Sequence, residues 1–293
     1  MDRLFLHNDD IRDTREHSAS AGQVGLLNGW GVFSTLRVAR GALFAFERHW
    51  VRMQRDAALM HVPFPSDPDW LHTRLLRLIE ANRAADATLR VAIVRNHGGP
   101  YEGPGLDRDF DLIAFTTGLT QWPESVSLAL QPQARHAACE FSGVKILSWA
   151  HNLTLNERAH DRGFDEVVLL NERGEVSECT SANIFVIQGN QVWTPPLSSG
   201  CLPGVTRAIL LEEVRIPGLG IGEKVLMPAD LERADGVFMT STTRDALAVR
   251  SVENLVVRCG GRELLAAIQQ SIALLRETYI NGARLSRAQV VSV

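Results

Sequence analysis

Residues 174–185 read GEVSECTSANIF, and the second of their two carboxylates, Glu178, lies among small polar residues just before an apolar run. This setting is a poor match for a solvated surface, and a buried carboxylate needs a partner. A heterocyclic N–H group of a bound ligand is one candidate partner. The alternative is a glutamate in a surface turn that pairs with one of the many arginines.

A second informative stretch is CEFSGVKILSW, residues 139–149, in which Lys145 lies among small and apolar residues. Lys145 and Lys224 are the only lysines among the 30 basic residues. Desolvation favours the neutral, nucleophilic form of a lysine amine, and only such an amine forms a Schiff base. The alternative is a lysine whose stem is buried and whose ammonium group reaches water.

Two further stretches are typical of anion-binding loops. PGVTR, residues 203–207, precedes a predicted helix, so its backbone N–H groups and the Thr206 hydroxyl can face a phosphate at the positive end of the helix dipole. TSTT, residues 240–243, follows a predicted strand and offers several hydroxyl groups. Each is weak alone, because a helix cap and β propensity explain them equally well. The chain has no P-loop and no GxGxxG fingerprint.

Composition limits the class of protein and its partners. The 293 residues are 45% hydrophobic and 22% charged, which is typical of one large or two modest globular domains. A net charge of −4 provides no basic field for nucleic acid or an anionic membrane. The four cysteines lack metal-ligand spacing, and no signal-peptide core or membrane-length apolar run occurs, so we expect free thiols, no metal, and a cytoplasmic protein with a small-molecule ligand.

Hydrophobic periodicity predicts a mixed α/β fold rather than a regular doubly wound one. Residues 118–124 are polar, contain glycine and proline, and form the predicted linker between a smaller N-terminal α/β domain, 1–117, and a larger C-terminal domain, 125–293. The predicted strands are 31–38, 42–46, 89–95, 111–116, 126–130, 166–170, 182–187 and 236–240. The predicted helices are 48–60, one opening at 67–69, 151–162, 205–215 and 263–278.

Taken in order along the chain, these stretches resemble the fold-type IV pyridoxal-phosphate enzymes. This family of class IV aminotransferases includes branched-chain aminotransferases, D-amino acid aminotransferases and aminodeoxychorismate lyase. The resemblance extends from about Leu26 to about Val257 and is strongest between 145 and 249. It implies a two-domain fold with pyridoxal 5'-phosphate at the domain interface, a C-terminal domain that binds this cofactor, and a homodimer.

The resemblance also implies roles for individual residues. Lys145 would form the Schiff base with the cofactor, and Glu178 would face the pyridine nitrogen. HWVRM, residues 49–53, matches the family's His-x-x-Arg-Leu pattern and makes Arg52 the phosphate-binding arginine. The remaining phosphate contacts implied are Val205, Thr206, Ser241 and Thr242.

The departures from the family pattern lie on the substrate side. Asn28 stands where many members have tyrosine, whereas Thr35 resembles the lyase branch. Trp149 stands near a position that is often aromatic in branched-chain enzymes. Arg90 matches an arginine that helps those enzymes bind carboxylates, although a structural ion pair explains it equally well. The predicted substrate residues are Asn28, Thr35, Arg90, Trp149 and Thr243.

The resulting prediction is a transaminase that moves an amino group from an amino acid, with branched-chain or other apolar L-amino acids favoured, to a 2-oxo acid. Aminodeoxychorismate lyase, which eliminates pyruvate, is the alternative on the same fold. D-amino acid transamination is less favoured, because RNH, residues 95–97, matches the Arg-x-His carboxylate trap of those enzymes only loosely. A non-catalytic binding protein is the least favoured reading.

Overall fold

The computed structural model describes residues 1–16, 20, 22–99, 102–103 and 106–291, with side chains described up to 282. The chain forms two compact units. Unit 1 consists of Met1–Thr120, Lys145–Trp149 and Arg276–Val293, and unit 2 of Gln121–Val144 and Ala150–Leu275. The linker at 118–124 stays a prediction. The two units differ from the predicted domains because residues 145–149 and those from 276 belong to unit 1 rather than to the C-terminal unit.

Unit 1 is built on a six-stranded antiparallel sheet in the order β2-β1-β6-β5-β3-β4. Its buried core is formed by aliphatic and aromatic side chains from the sheet and from two amphipathic helices. The strands are β1 (Leu4–His7), β2 (Asp10–Asp13), β3 (Gly31–Ala39), β4 (Ala42–Leu43), β5 (Ala87–Arg95) and β6 (Phe110–Thr117), and the helices are α1 (Val24–Asn28), α2 (Phe46–Leu59) and α3 (Pro68–Ala81).

Local signals explain where the helices of unit 1 begin. The Asp67 side chain accepts the Asp69 N–H at 2.9 Å and Pro68 occupies the first turn, so α3 starts where its capping residues predict. The expected strand over 42–46 is wrong in its second half. Ala45 has a left-handed φ of 53°, which ends the strand after Leu43 and allows α2 to begin at Phe46.

Unit 2 contains an eight-stranded mixed sheet in the order β12-β11-β10-β13-β14-β7-β8-β9. Strand β8 is buried at every residue, which explains its almost continuous apolar sequence, EVVLLN. The strands are β7 (Ser125–Arg135), β8 (Glu166–Asn171), β9 (Val176–Cys179), β10 (Asn183–Gln188), β11 (Gln191–Thr194), β12 (Gly220–Glu223), β13 (Gly236–Ser241) and β14 (Asp245–Val252), and the helices are α4 (Ala150–Asp161), α5 (Val205–Glu212) and α6 (Pro228–Arg233).

A last helix, α7 (Arg262–Val291), contributes its first part to unit 2 and the part from Arg276 to unit 1. It is longer than the expected 263–278. Within unit 1, the hydroxyl of Tyr279 on this helix donates a hydrogen bond to the Glu47 carboxylate on α2 at 2.5 Å. The mixed α/β class with two sheets is confirmed.

Within the described residues, no helix is both long and apolar enough to cross a membrane. The same part of the chain holds no cluster of three or more His, Cys, Asp or Glu side chains that could bind a metal ion. The four cysteines are free thiols, of which Cys179 and Cys201 are buried.

Candidate active site

The segment that carries Lys145 pairs with the beginning of β3 in unit 1. The Phe33 N–H donates to the Lys145 carbonyl at 3.1 Å, and the Leu147 N–H donates to the Gly31 carbonyl at 2.9 Å. One β-bridge therefore joins Val32 to the residue after the lysine. These bonds fix the backbone of Lys145 against a strand of the sheet.

The Lys145 amine lies beside an aromatic pair. Its Nζ is 4.5 Å from the ring centroid of Phe33 and 5.8 Å from that of Trp149, and the two rings meet edge to face. The guanidinium of Arg90 lies 3.9 Å from the centroid of the Phe33 ring. Within the described residues, no hydrogen bond or ion pair reaches the Arg90 guanidinium, and burial lowers its pKa. Within the described residues, a guanidinium without a carboxylate partner and the Lys145 amine therefore both lie near the Phe33 ring.

The other predicted substrate residues of unit 1 lie around this pair. Thr35 is the cross-strand partner of Arg90 in the β3–β5 register, so the two side chains share one face of the sheet. Asn28 ends α1, and its side-chain amide donates to the Val24 carbonyl at 2.9 Å. The Asn28 carbonyl accepts the Ser148 hydroxyl at 3.1 Å, so Asn28 contacts the lysine segment through its backbone.

Arg52 is buried on α2 and forms a short chain of hydrogen bonds. It donates to the Ser34 hydroxyl at 2.7 Å, and that hydroxyl lies 2.8 Å from Nδ1 of the fully buried His49. Burial, together with the positive charges of Arg52 and Lys145, holds the pKa of His49 well below its usual value, so the imidazole is neutral. Burial lowers the pKa of Arg52 to about 10, so it remains a cation at neutral pH.

In unit 2, Glu178 lies on β9 and is 8% exposed. Its Oε1 accepts a hydrogen bond from Arg135 Nε at 3.0 Å, and its Oε2 accepts the Leu202 N–H at 3.0 Å. Arg135 in turn donates to the side chain of Asn152 at 3.2 Å. The carboxylate is therefore buried, paired and fixed in orientation, and it retains free lone pairs for one more donor.

The predicted phosphate loop at 203–207 opens helix α5. Val205 and Thr206 are both buried in its first turn, and Gly204 is its N-cap. A Cβ at Gly204 would lie 2.0 Å from Oδ1 of Asn183, whose amide donates to the Leu202 carbonyl at 2.8 Å. Only glycine allows this close approach. Because glycine has no side chain to cap the helix, the N–H groups of the first turn have no side-chain cap.

The second predicted loop is the turn between β13 and β14. The Ser241 hydroxyl accepts hydrogen bonds from the Arg244 N–H and from its guanidinium, both at 3.3 Å. The guanidinium also lies 4.0 Å from the ring centroid of Trp122, whose indole N–H donates to the Thr243 carbonyl at 3.0 Å. Ser241, Thr242 and Thr243 are consequently held in one turn with a half-buried cation behind it.

Sequence reasoning missed three side chains that organise these two sets of residues. Phe33 lies five residues after Asn28, and Arg244 directly follows the TSTT run, so proximity to predicted site residues could have found both. Arg135 has no such signal, because it lies 43 residues before the carboxylate that it binds.

Each unit, taken by itself, carries groups that suit an anionic heterocyclic cofactor. Arg52 keeps a buried Nε without a partner in the described part of the chain, and the first turn of α5 offers N–H groups to the same kind of anion. Glu178 can accept a ring N–H, while Lys145 supplies the amine. Lys145, Arg90 and Arg52 lie in unit 1, and Glu178, Thr206 and Ser241 lie in unit 2.

Comparisons with known proteins identify the family of this chain. The model of the amino-transferase class IV family matches residues 31–252. The D-alanine aminotransferase of Bacillus licheniformis is 26% identical over 91% of this chain and 96% of that protein. The branched-chain-amino-acid aminotransferase of Salmonella typhimurium is 27% identical over 88% of each chain. The solved branched-chain amino acid aminotransferase of Escherichia coli superimposes with a TM-score of 0.83 at 24% identity, covering 94% of this chain and 95% of that one.

Proposed function

The chain belongs to the class IV aminotransferases, and from this premise we propose that it moves an amino group from an apolar L-amino acid, with branched-chain side chains favoured, to a 2-oxo acid. The observation that carries this choice of substrate is the Phe33 ring, which lies 3.9 Å from the Arg90 guanidinium and 4.5 Å from the Lys145 amine. An amino acid would present its carboxylate to the Arg90 guanidinium and its α-carbon to the Lys145 amine.

Class IV aminotransferases use pyridoxal 5'-phosphate, which when bound supplies an aldehyde for the amino group and a ring that absorbs the electrons released at Cα. We assign the phosphate to Arg52, the first turn of α5 at Val205 and Thr206, and the hydroxyls of Ser241 and Thr242. An arginine guanidinium can bind a phosphate through two parallel N–H hydrogen bonds, and the start of α5 adds backbone N–H donors. We assign Glu178 to the ring nitrogen, where its charge keeps a proton on that atom.

Lys145 has two tasks in this proposal. Its amine would hold the cofactor and, when free, would move a proton at the substrate Cα as general base and acid. The backbone pairing with β3 keeps the lysine in place while its side chain changes partners.

Arg90 and the aromatic pair account for the favoured substrate class. A desolvated guanidinium that meets no carboxylate among the described residues is suited to the substrate carboxylate. Phe33 and Trp149 offer an apolar wall, which favours an apolar side chain over a charged one. Thr35, Asn28 and Thr243 complete the substrate residues that we propose.

The test uses the purified protein loaded with pyridoxal phosphate and separate L- and D-amino acids, D-alanine included because a relative is named for it. A transaminase given an amino acid alone releases one equivalent of 2-oxo acid per bound cofactor and then stops, until a second oxo acid restores it. Lys145→Ala should lose the reaction, whereas Lys224→Ala, which removes the other lysine, should retain it.

The outcomes separate the candidates. Release of one equivalent of 2-oxo acid from branched-chain L-amino acids and not from D-alanine supports the proposed substrate. The reverse pattern overturns it. Continuous release of pyruvate from aminodeoxychorismate without an oxo acid acceptor identifies the lyase instead. Binding of pyridoxal phosphate without any turnover leaves a non-catalytic protein. The homodimer remains a prediction that sedimentation equilibrium measures directly.

A further inference from the structure

Asp56 is a fully buried carboxylate of α2 that none of the roles above uses. Its side chain is 0% exposed, and its Oδ2 accepts the backbone N–H of Lys145 at 3.1 Å. Its Oδ1 accepts a hydrogen bond from Arg55 Nε at 2.9 Å. Burying a carboxylate costs free energy unless hydrogen-bond donors bind it, so the donors to Asp56 need an explanation.

The pairing of the lysine segment explains why an acceptor is needed there. In the bridge between β3 and this segment, the Lys145 carbonyl and the Leu147 N–H face the strand. The Lys145 N–H is not used in this bridge and donates to the Asp56 side chain instead. Asp56 satisfies this donor, and both backbone polar groups of Lys145 are therefore bound inside unit 1.

The same carboxylate lies one helical turn after Arg52. Residues four apart on a helix share a face, and the negative charge of Asp56 acts favourably on the Arg52 guanidinium. One side chain thus connects the backbone of the lysine with the helix that carries the arginine. A cofactor held at its aldehyde by Lys145 and at its phosphate by Arg52 requires these two anchors to keep a fixed separation.

We propose that Asp56 is a positioning residue, which holds the Lys145 backbone at a fixed separation from Arg52 by accepting the lysine N–H. The cofactor part of this inference rests on the proposed function. The hold on Lys145 does not, because it concerns the chain alone.

The first readout is the reactivity of Lys145 in the protein freed of cofactor. Only two lysines occur, so acylation by acetic anhydride followed by peptide mass spectrometry reports Lys145 against Lys224, an exposed lysine that serves as internal reference. Asp56→Ala removes the acceptor, whereas Asp56→Asn keeps a side-chain carbonyl that can accept the same N–H. Asp111→Asn is the matched control, since Asp111 is a buried carboxylate of unit 1 that binds Asn8 and Gln23.

Loss of the acceptor loosens the segment, so we expect Asp56→Ala to raise the labelling of Lys145 relative to Lys224 by at least about threefold. Asp56→Asn and Asp111→Asn should leave this ratio near the wild-type value. An unchanged ratio in a folded Asp56→Ala protein overturns the proposal. If Asp56→Ala does not fold, Asp56→Asn decides, since a raised ratio in that variant contradicts the role of the acceptor.

The second readout is the affinity for pyridoxal phosphate and the circular dichroism of the bound cofactor, which depends on how Lys145 orients it. We expect Asp56→Ala to weaken binding at least about tenfold and to reduce the dichroic band, with Asp56→Asn restoring most of both. Wild-type affinity in Asp56→Ala overturns the proposed spacing of the anchors. Failure of the wild-type protein itself to bind the cofactor overturns the proposed function instead, and the labelling ratio still tests the hold on Lys145.

Discussion

Arg135→Met isolates the contribution of the ion pair at Glu178. The substitution keeps most of the stem volume and removes the donor to Glu178 Oε1, together with the bonds to Asn152. Breaking a fully buried pair costs about 3–5 kcal/mol. The two side chains here are 16% and 10% exposed, so water can partly replace the donor. We therefore expect a loss of about 2–3 kcal/mol in the free energy of unfolding.

Urea unfolding of the cofactor-free protein, followed by circular dichroism, measures this loss. Glu178→Gln and the double variant complete a double-mutant cycle, and the double variant should be more stable than Arg135→Met alone because no buried charge is left unpaired. Arg162→Met is the control, since Arg162 is 48% exposed and pairs with Glu253 on the surface of the same unit. We expect that control to lose less than about 1 kcal/mol.

Two results would refute this reasoning. The first is a loss in Arg135→Met no larger than in Arg162→Met, which would mean that water or a neighbouring donor fully replaces the guanidinium. The second is a double variant that is no more stable than Arg135→Met, which would mean that the cost arises from lost packing of the arginine stem rather than from the stranded carboxylate.

Arg90→Met should raise the KM for the amino acid at least about tenfold while the affinity for pyridoxal phosphate stays unchanged, and steady-state kinetics beside a cofactor titration separate the two. Gly204→Ala places a Cβ 2.0 Å from Asn183 Oδ1. It should cost about 1–3 kcal/mol in urea unfolding, whereas Gly118→Ala, where no atom lies within 4 Å, should cost little. Although burial opposes it, hydrogen bonds from three side chains lower the pKa of Asp111 to about 2. Its stabilisation is therefore present above about pH 4 and lost as the pH falls toward 2, so the deficit of Asp111→Asn should be about 1–2 kcal/mol at pH 7 and shrink below pH 4. A deficit that stays constant down to pH 3 would contradict that assignment.

Long periodic elements were predictable from sequence, and short ones were not. Helix α3 and strands β5 and β6 follow an apolar period over eight or more residues, and the structure places them within two residues of the expectation. Strands β9 and β12 have four residues each, too few for a period to show. The end of β4 depends on the left-handed backbone at Ala45, which an alanine does not signal.

The candidate site divides in the same way. The unusual local settings of Lys145 and Glu178 made them candidates, and the family resemblance supplied the roles predicted for them. Arg135 and Asp56 were not, because each binds its partner across the fold, over 43 and 89 residues of sequence. The residues around Arg135 and Asp56 in the sequence give no signal of these contacts. Only the folded structure shows which group each of these charged side chains binds.

The membership of Lys145–Trp149 in unit 1 has a consequence for the order of biosynthesis. A ribosome that has released residues up to 120 has made most of unit 1, yet β3 then lacks the segment that binds its Gly31 carbonyl and Phe33 N–H. An exposed strand edge of this kind invites pairing with other chains. We therefore expect nascent chains shorter than about 150 residues, and a recombinant fragment 1–120, to associate through this edge, and β3 to gain its partner only after residues 145–147 have been synthesised.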